Sequence, residues 1–550
     1  MAAAACSSSG GGSGSSQPSA APKATLNQIN PVDPSSLKQG GYFNFPVDQY
    51  SSQWNLLNAS SENEASISET MGPLLPMLFN SSAAGELTAN PDYLVSATQS
   101  TVGGKQTVTY DINPKAKWSD GTPITWQDFY WNWFVQNGKN PKYAPTTTTG
   151  YDQITSVTKG KNAQEAVVTF GTPFGDWKTL FSPFYPGEEL NTLDKFNNAY
   201  KGKIPVTGGP FILKSMNPTT KVVTVVRNPN WWGAQKPVLD GINFRTIDAA
   251  SEPGAFASGE IDYEDIGPDV SMYKQAKQVS GASIRVAGAP NERISLLNGQ
   301  SPILSDENVR QAVFLAINRI AIGKEDLSGL PWPIKELDNH FLVNNEAHYQ
   351  DNSGGLGTYN PTKAKSLLDA AGWKQGSGKY RTKNGKELDL TIDIPAGTPT
   401  ATNEAQAFTA MLGAVGINAK TKVSSQDDFF NDIQAGKFDI TMFSYIGAIP
   451  FAPIPNSEAN YLSPVNGNIG QNYSRIGSPD VDSAMKAAAS ATDEASYYAN
   501  LQKADAALWK LAVNLPIYQR PNLVATKPTL ANFGAFGFAS IDWTKIGFTK

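Results

Sequence analysis

The sequence predicts an α/β protein. Three observations carry that expectation: β-branched runs with period-two alternation, apolar spacings of three and four residues beside helix caps, and the mixing of both along the whole chain. Tyr42–Val47 has the pattern of a short strand after Gly40-Gly41. Residues 108–112 alternate and lead into Lys117-Trp118-Ser119-Asp120-Gly121, a turn signal. Thr125 opens a helix, with Asp128 placed to complete a capping box. Residues 222–226 form a strand that ends at Asn228-Pro229. Ser305 is expected to cap a helix whose Val309, Ala312, Val313, Ala316 and Ile317 share one face. Asn360-Pro361 opens another, with Ala364, Leu367, Leu368 and Ala371 on one side and Gly372 just past its end. Residues 404–415 and 497–509 are expected amphipathic helices, and 438–443 a buried strand.

The chain has 550 residues, enough for two to four domains at about 100–200 residues each. Hydrophobic residues at 40% and aromatics at 10% supply a sizeable core, which excludes a wholly disordered chain. Only 17% of residues are charged, against about 25% in an ordinary globular protein. With 44 basic and 49 acidic residues the net charge is −5, which argues against nucleic acid as a partner. Cys6 is the single cysteine, so no intrachain disulfide or cysteine metal site can form. No apolar run approaches the roughly 20 residues that span a bilayer.

At the N-terminus, Ala2 to Ala5 directly precede Cys6. This resembles the end of a bacterial lipoprotein signal, in which the cysteine takes the lipid; Ala3 stands where such signals usually carry Leu. The Gly/Ser tract after Cys6 is a flexible tether within residues 1–22, with a reach of roughly 20–24 Å. From Gly40 to Lys550 the composition is globular, without a second linker or an internal repeat.

Signatures of catalysis are missing. There is no GxxxxGK, GxGxxG, GxSxG or HExxH, and no enzyme, cofactor or metal is expected. The two histidines, His340 and His348, are both expected at the surface, although Asp338 lies near the first. Carboxylate pairs occur at Glu188-Glu189 and Asp427-Asp428; the second suits a helix N-terminus. The positive signal is aromatic. Trp126, Tyr130, Trp131 and Trp133 fall in one helix, and Trp231-Trp232 follow a turn, as core residues or as walls of a ligand cleft.

Five blocks then share an order and spacing: WSDGTPITWQDFYWNWF (118–134), TGGPFILKSMNPTTKVVTVVRNPNWWG (207–233), SGEIDYEDIGP (258–268), SDENVRQAVFLAINRIAI (305–322) and YNPTKAKSLLDAAGW (359–373). Together they resemble family 5 extracellular solute-binding proteins, the peptide-binding components of ABC importers. The resemblance covers nearly the whole chain from Gly40 on. It implies a two-lobed periplasmic-binding-protein-like fold with a hinge and an extra subdomain. Lobe I would comprise 40–100, 207–289 and 516–550, the extra subdomain 101–206, and lobe II 290–515. A solute would lie between lobes that close by hinge bending and would then be presented to a membrane permease. Peptides are the default class. The alternatives are another solute (a neutral oligosaccharide, a glycolipid or a metal chelate) and a transport-independent regulator of the cell envelope. A secreted hydrolase is a distant third.

The resemblance also places candidate ligand contacts. These are Tyr50, Gln53, Trp54 and Asn55 after the first strand, Asn298, Thr398 of Ala396-Gly397-Thr398, and Phe443, Ser444, Tyr445, Ile446 and Gly447 at a second-lobe strand end. Peptide-binding members often hold the ligand's α-ammonium with an aspartate just after that strand. Ala448 aligns there, and no acid occurs between Asp439 and Glu458. That points to a neutral or end-blocked ligand held on Trp54 and Tyr445, or to a substitute acid such as Asp48. The expected protein is a monomeric, extracytoplasmic one, attached to the membrane only through lipid on Cys6. Expressed behind a complete signal with labelled fatty acid, it should label. Cys6→Ala should abolish label and membrane retention together, and unchanged retention would refute the anchor.

Overall fold

The structure is a computed structural model that describes residues 26–61, 64–447, 453–465, 467 and 469–550. Cys6 and Ala448, on which two of the expectations rest, lie outside the described residues. Alternating Phe43, Phe45 and Val47 turn one face of strand Tyr42–Val47 inward. That strand pairs in parallel with Gly241–Thr246, and Val222–Arg227 and Phe211–Asn217 extend the sheet antiparallel. Phe43, Phe45 and Phe244 then meet Phe533 and Trp543 from the C-terminal segment, with the Phe43 and Phe533 rings 4.9 Å apart. The first lobe is thus closed by residues almost five hundred positions away.

A second four-stranded sheet combines Leu94–Val102, Lys105–Ile112, Glu165–Phe170 and Ile154–Lys159. Helix Trp126–Gln136 packs on it and carries the expected capping box between Thr125 and Asp128. Asp128 also accepts from Trp118 Nε1 at 3.1 Å and from the Gly187 N–H at 2.8 Å, which fixes the helix start to the following loop. Trp133 and Trp231 are buried in this sheet's core, with Trp126, Tyr130 and Trp232 packed against it. Trp131 packs against the first-lobe core. These tryptophans hold the subdomain together.

The largest sheet has the order Tyr263–Asp265, Asn514–Thr526, Ser283–Leu297, Ile440–Ile446, Asp389–Pro395, Asn418–Ser424. Its parallel strands are joined by helices Pro399–Ala414 and Gln426–Ala435, as a parallel pairing requires. Helices Glu307–Ala316, Pro361–Ala370 and Pro399–Ala414 bury Val309, Val313, Leu368, Phe408 and Leu412 in one core with Ile392, Ile394, Ile440 and Met442. Across the two halves, the Gly175 N–H donates to Ala489 O at 2.7 Å and the Tyr497 hydroxyl to Asp176 at 2.7 Å. Among the described residues no helix is long and apolar enough to cross a membrane.

Several sequence expectations are corrected. Asp306, not Ser305, caps helix Glu307–Ala316: its carboxylate accepts the Asn308 N–H at 2.9 Å, whereas the Ser305 hydroxyl donates back to Pro302 O. The helix expected from residue 404 begins at Pro399, because proline lacks only an N–H that a first turn leaves unpaired. The strand expected at 438–443 runs Ile440–Ile446. Arg319 is 1% exposed and donates to the carbonyls of Leu337, Pro516 and Gly357 and to Asp338 at 2.6 Å. Arg319→Met should leave these acceptors unpaired and cost about 3–5 kcal/mol, read as a lower urea midpoint; an unchanged midpoint would contradict the assignment.

Candidate functional site

The long strands Ser283–Leu297 and Asn514–Thr526 pair as Gly288 with Pro521 and then as Glu292 with Gln519. Ala289, Pro290 and Asn291 therefore bulge opposite Arg520. Proline has no N–H for the ladder, so a break there is natural. The Gly447 N–H closes the bulge by donating to Pro290 O at 3.0 Å. A Cβ on residue 447 would fall 2.5 Å from that oxygen, so glycine is required by the close approach.

Beside the bulge lies a cavity of about 110 Å³ whose polar wall includes Glu292, Glu346, His340, Tyr445, Ser457 and Gln471. Glu292 pairs across the sheet with Tyr445, which brings both side chains to one face. It is 9% exposed, and no hydrogen bond to its carboxylate is present among the described residues. Burial, followed by the charges of Asp505 and Glu346, pushes its carboxyl well above the usual range. Burial pushes Glu346 up to about 8, opposed by the Val343 N–H that its Oε2 accepts at 2.6 Å. No Lys or Arg lines the cavity among the described residues.

His340 is buried, not at the surface as the loop-like sequence suggested. Its Nδ1 lies 2.6 Å from Asp505 Oδ1 and its Nε2 2.9 Å from Asn514 O, while Asn352 donates to Asp505 Oδ2 at 2.6 Å. Both ring nitrogens lie within hydrogen-bond distance of an oxygen, so the ring braces the cavity wall. His348 is exposed as expected, 2.7 Å from Glu494 and stacked on Tyr498.

Of the expected contacts, Tyr445, Ile446 and Gly447 line the cavity. Phe443 stands edge-on to Tyr445 at 5.2 Å, and Ser444 is half-buried on the opposite face, paired with Arg293. The others are elsewhere. Gln53 donates to Asn197 O at 3.0 Å and Asn55 to Phe196 O at 2.8 Å, so both pin their loop. Trp54 is 2% exposed in the first-lobe core with Tyr50 edge-on at 5.9 Å, and offers no open stacking face. Asn298 donates to Gly436 O and Phe438 O, holding the turn before the strand. Thr398 caps helix Pro399–Ala414 without a side-chain bond. Asp48 is exposed and lies among Glu69, Glu252 and Asp265, away from this cavity. Sequence reading missed Glu292 and Glu346. The available signal was Glu292, the single acid of strand Ser283–Leu297.

The family model for bacterial extracellular solute-binding proteins, family 5, matches residues 90–468. The oligopeptide-binding protein OppA of Mycobacterium tuberculosis H37Rv is 33% identical over 532 residues, which is 96% of this chain and 88% of that protein. The chain belongs to family 5 of the bacterial extracellular solute-binding proteins, the extracytoplasmic solute-binding components of ABC transporters. Among solved structures, the periplasmic EDTA-binding protein EppA has 26% identity and a TM-score of 0.87, covering 96% of this chain and 99% of that one. AppA of Bacillus subtilis, in complex with a nonapeptide, has 20% identity and a TM-score of 0.75, covering 94% and 100%. Both likenesses agree with the two-lobed α/β fold.

The cavity carboxyls make a pH prediction. Their folded values are raised, so the folded chain holds protons that the unfolded chain releases. The associated stability is present below about pH 4.5 and is lost as pH rises through about 8. The melting temperature of the ligand-free protein should fall from pH 5 to pH 8, and Glu346→Gln should flatten that slope. An unaltered slope would mean that Glu346 does not titrate in this window.

Proposed function

We propose that this chain captures peptides or peptide-like solutes outside the cell for an ABC importer and binds them without transforming them. The observation that carries the reading is the position of the cavity. It sits at the bulge of the two strands that connect the halves of the fold, so a solute seated there touches the element that must bend on closure. The OppA relative and the nonapeptide complex of AppA support peptides as the class. A polyanionic chelate, suggested by EppA, suits the cavity poorly, because two carboxylates line it and no Lys or Arg opposes them among the described residues.

In this reading 40–100, 207–289 and 516–550 move as one lobe with the 101–206 subdomain, and 290–515 as the other. The cavity takes one end of the solute, and the remainder lies along the interlobe cleft. The protein acts as a monomer, held near its permease by lipid on Cys6 and the Gly/Ser tether.

Native mass spectrometry of protein purified from its own host should find co-purified peptides. Small-angle scattering should show a smaller radius of gyration when the stripped protein is resaturated with them, since a solute shifts the equilibrium only through its higher affinity for the closed state. A co-purified glycan or glycolipid without peptide would favour the alternative solutes. An unchanged radius at saturation would contradict capture by closure.

A further inference from the structure

We propose that Glu292 is the counter-charge for a cationic amino group on the captured solute. The inference rests on solute capture at this cavity and names what the cavity selects. Its first support is the isolation of the carboxylate. Three other buried acids in or packed on this sheet are matched: Glu404 pairs with Arg293, Asp393 with Lys422 and Ser424, and Asp505 with His340 and Asn352. Glu264 on the edge strand Tyr263–Asp265 is buried without a hydrogen-bond partner among the described residues, but it does not line this cavity. Glu292 is buried to the same order, lines a cavity, and receives no hydrogen bond among the described residues. Strand alternation sends its neighbour Arg293 to the opposite face, where Glu404 holds it, so the nearest cation in sequence cannot neutralise it.

The second support is the rest of the lining. Glu346 has one carboxylate oxygen engaged by the Val343 N–H, and its other oxygen accepts no hydrogen bond among the described residues. The Ser457 hydroxyl donates to Pro453 O, leaving its oxygen as an acceptor. Tyr445 presents its phenol beside Glu292. An ammonium has three donors and no acceptor, so it matches a cavity rich in unfilled acceptors. An uncompensated buried carboxylate is costly to the empty protein, and pairing it restores what burial removes.

The chemistry also sets a pH dependence. The groups facing Glu292 are Glu346, Asp505, His340, Tyr445 and Tyr461; burial first, and then the acids among them, hold its proton on in the empty cavity. An arriving ammonium must displace that proton, so amine affinity should rise with pH until the amine itself deprotonates, at about pH 8 for a chain terminus.

The test uses the full chain with four probes: a pool of short peptides lacking Lys and Arg with free amino termini, the same pool N-acetylated, N-acetylated peptides containing one Lys, and spermidine. Retention is read by native mass spectrometry and affinity by calorimetry. The wild-type protein should retain the free pool over its acetylated twin, a comparison that needs no variant. Retention of the acetylated Lys peptides would assign the ammonium to a side chain, and their exclusion would assign it to the chain terminus; both support the site. Glu292→Gln should weaken amine binding roughly 10–100-fold, leave acetylated peptides nearly unaffected, and melt no lower than wild type, because glutamine has the size and neutrality of the protonated acid in the empty cavity. Binding of spermidine alone would keep the amine site while removing the peptide reading. Retention of the acetylated pool equal to that of every amine-bearing probe, an equal loss of acetylated and amine-bearing probes in Glu292→Gln, or no cationic probe retained would overturn the proposal.

Discussion

The pairing of Ser283–Leu297 with Asn514–Thr526 is the constraint on which the other features depend. Two strands of this length form a ladder that neither half of the fold can break without losing backbone hydrogen bonds. One end of the ladder reaches the first-lobe side, where Arg285 donates to the carbonyls of Leu530 and Phe533. The other end lies in the core that contains Ile392, Ile440 and Met442. Continuity holds the halves together. The bulge at Ala289-Pro290-Asn291 is the interruption that lets them differ in orientation, and the cavity opens at that interruption.

The same ladder explains why a costly carboxylate stands there. The two-residue period puts Arg293 and Glu292 on opposite faces, so one strand delivers a satisfied ion pair to one side and, to the other, an acid without a hydrogen-bond partner among the described residues. His340, Asp505, Asn352 and Asn514 then stiffen the wall through a closed set of hydrogen bonds. A site of this kind is less stable empty than filled, which is the relation a capture protein needs.

Much of the fold was legible because its signals are local. The alternation of Phe43 and Phe45, the Thr125–Asp128 box and the Asn360-Pro361 helix start each depend on a few neighbouring residues, and each stands as expected. Ser305 and Asp306 differ only in which of two adjacent capping side chains turns inward, which pattern alone does not resolve. His340 was misplaced because its partner Asp505 is 165 positions away. Trp54, Gln53 and Asn55 belong to the loop that the family resemblance brings to the ligand, but Asn197, Phe196 and Tyr200 claim their surroundings, and only packing reveals that. The strand end at Tyr445–Gly447, which lines the cavity, was expected from the resemblance. Its facing acid, Glu292, was not, because the single acid of a long strand acquires meaning only when the register shows which side it faces.

A crystal structure of the protein loaded with the solute it carries from its own host tests the role of Glu292. Ligand density is expected within the cavity, with a nitrogen of the solute at hydrogen-bonding distance from Glu292 and the solute's remainder passing Tyr445 and Gly447 toward the opposite lobe. Ligand density confined to another part of the cleft, with the Glu292 carboxylate facing only water, would contradict it.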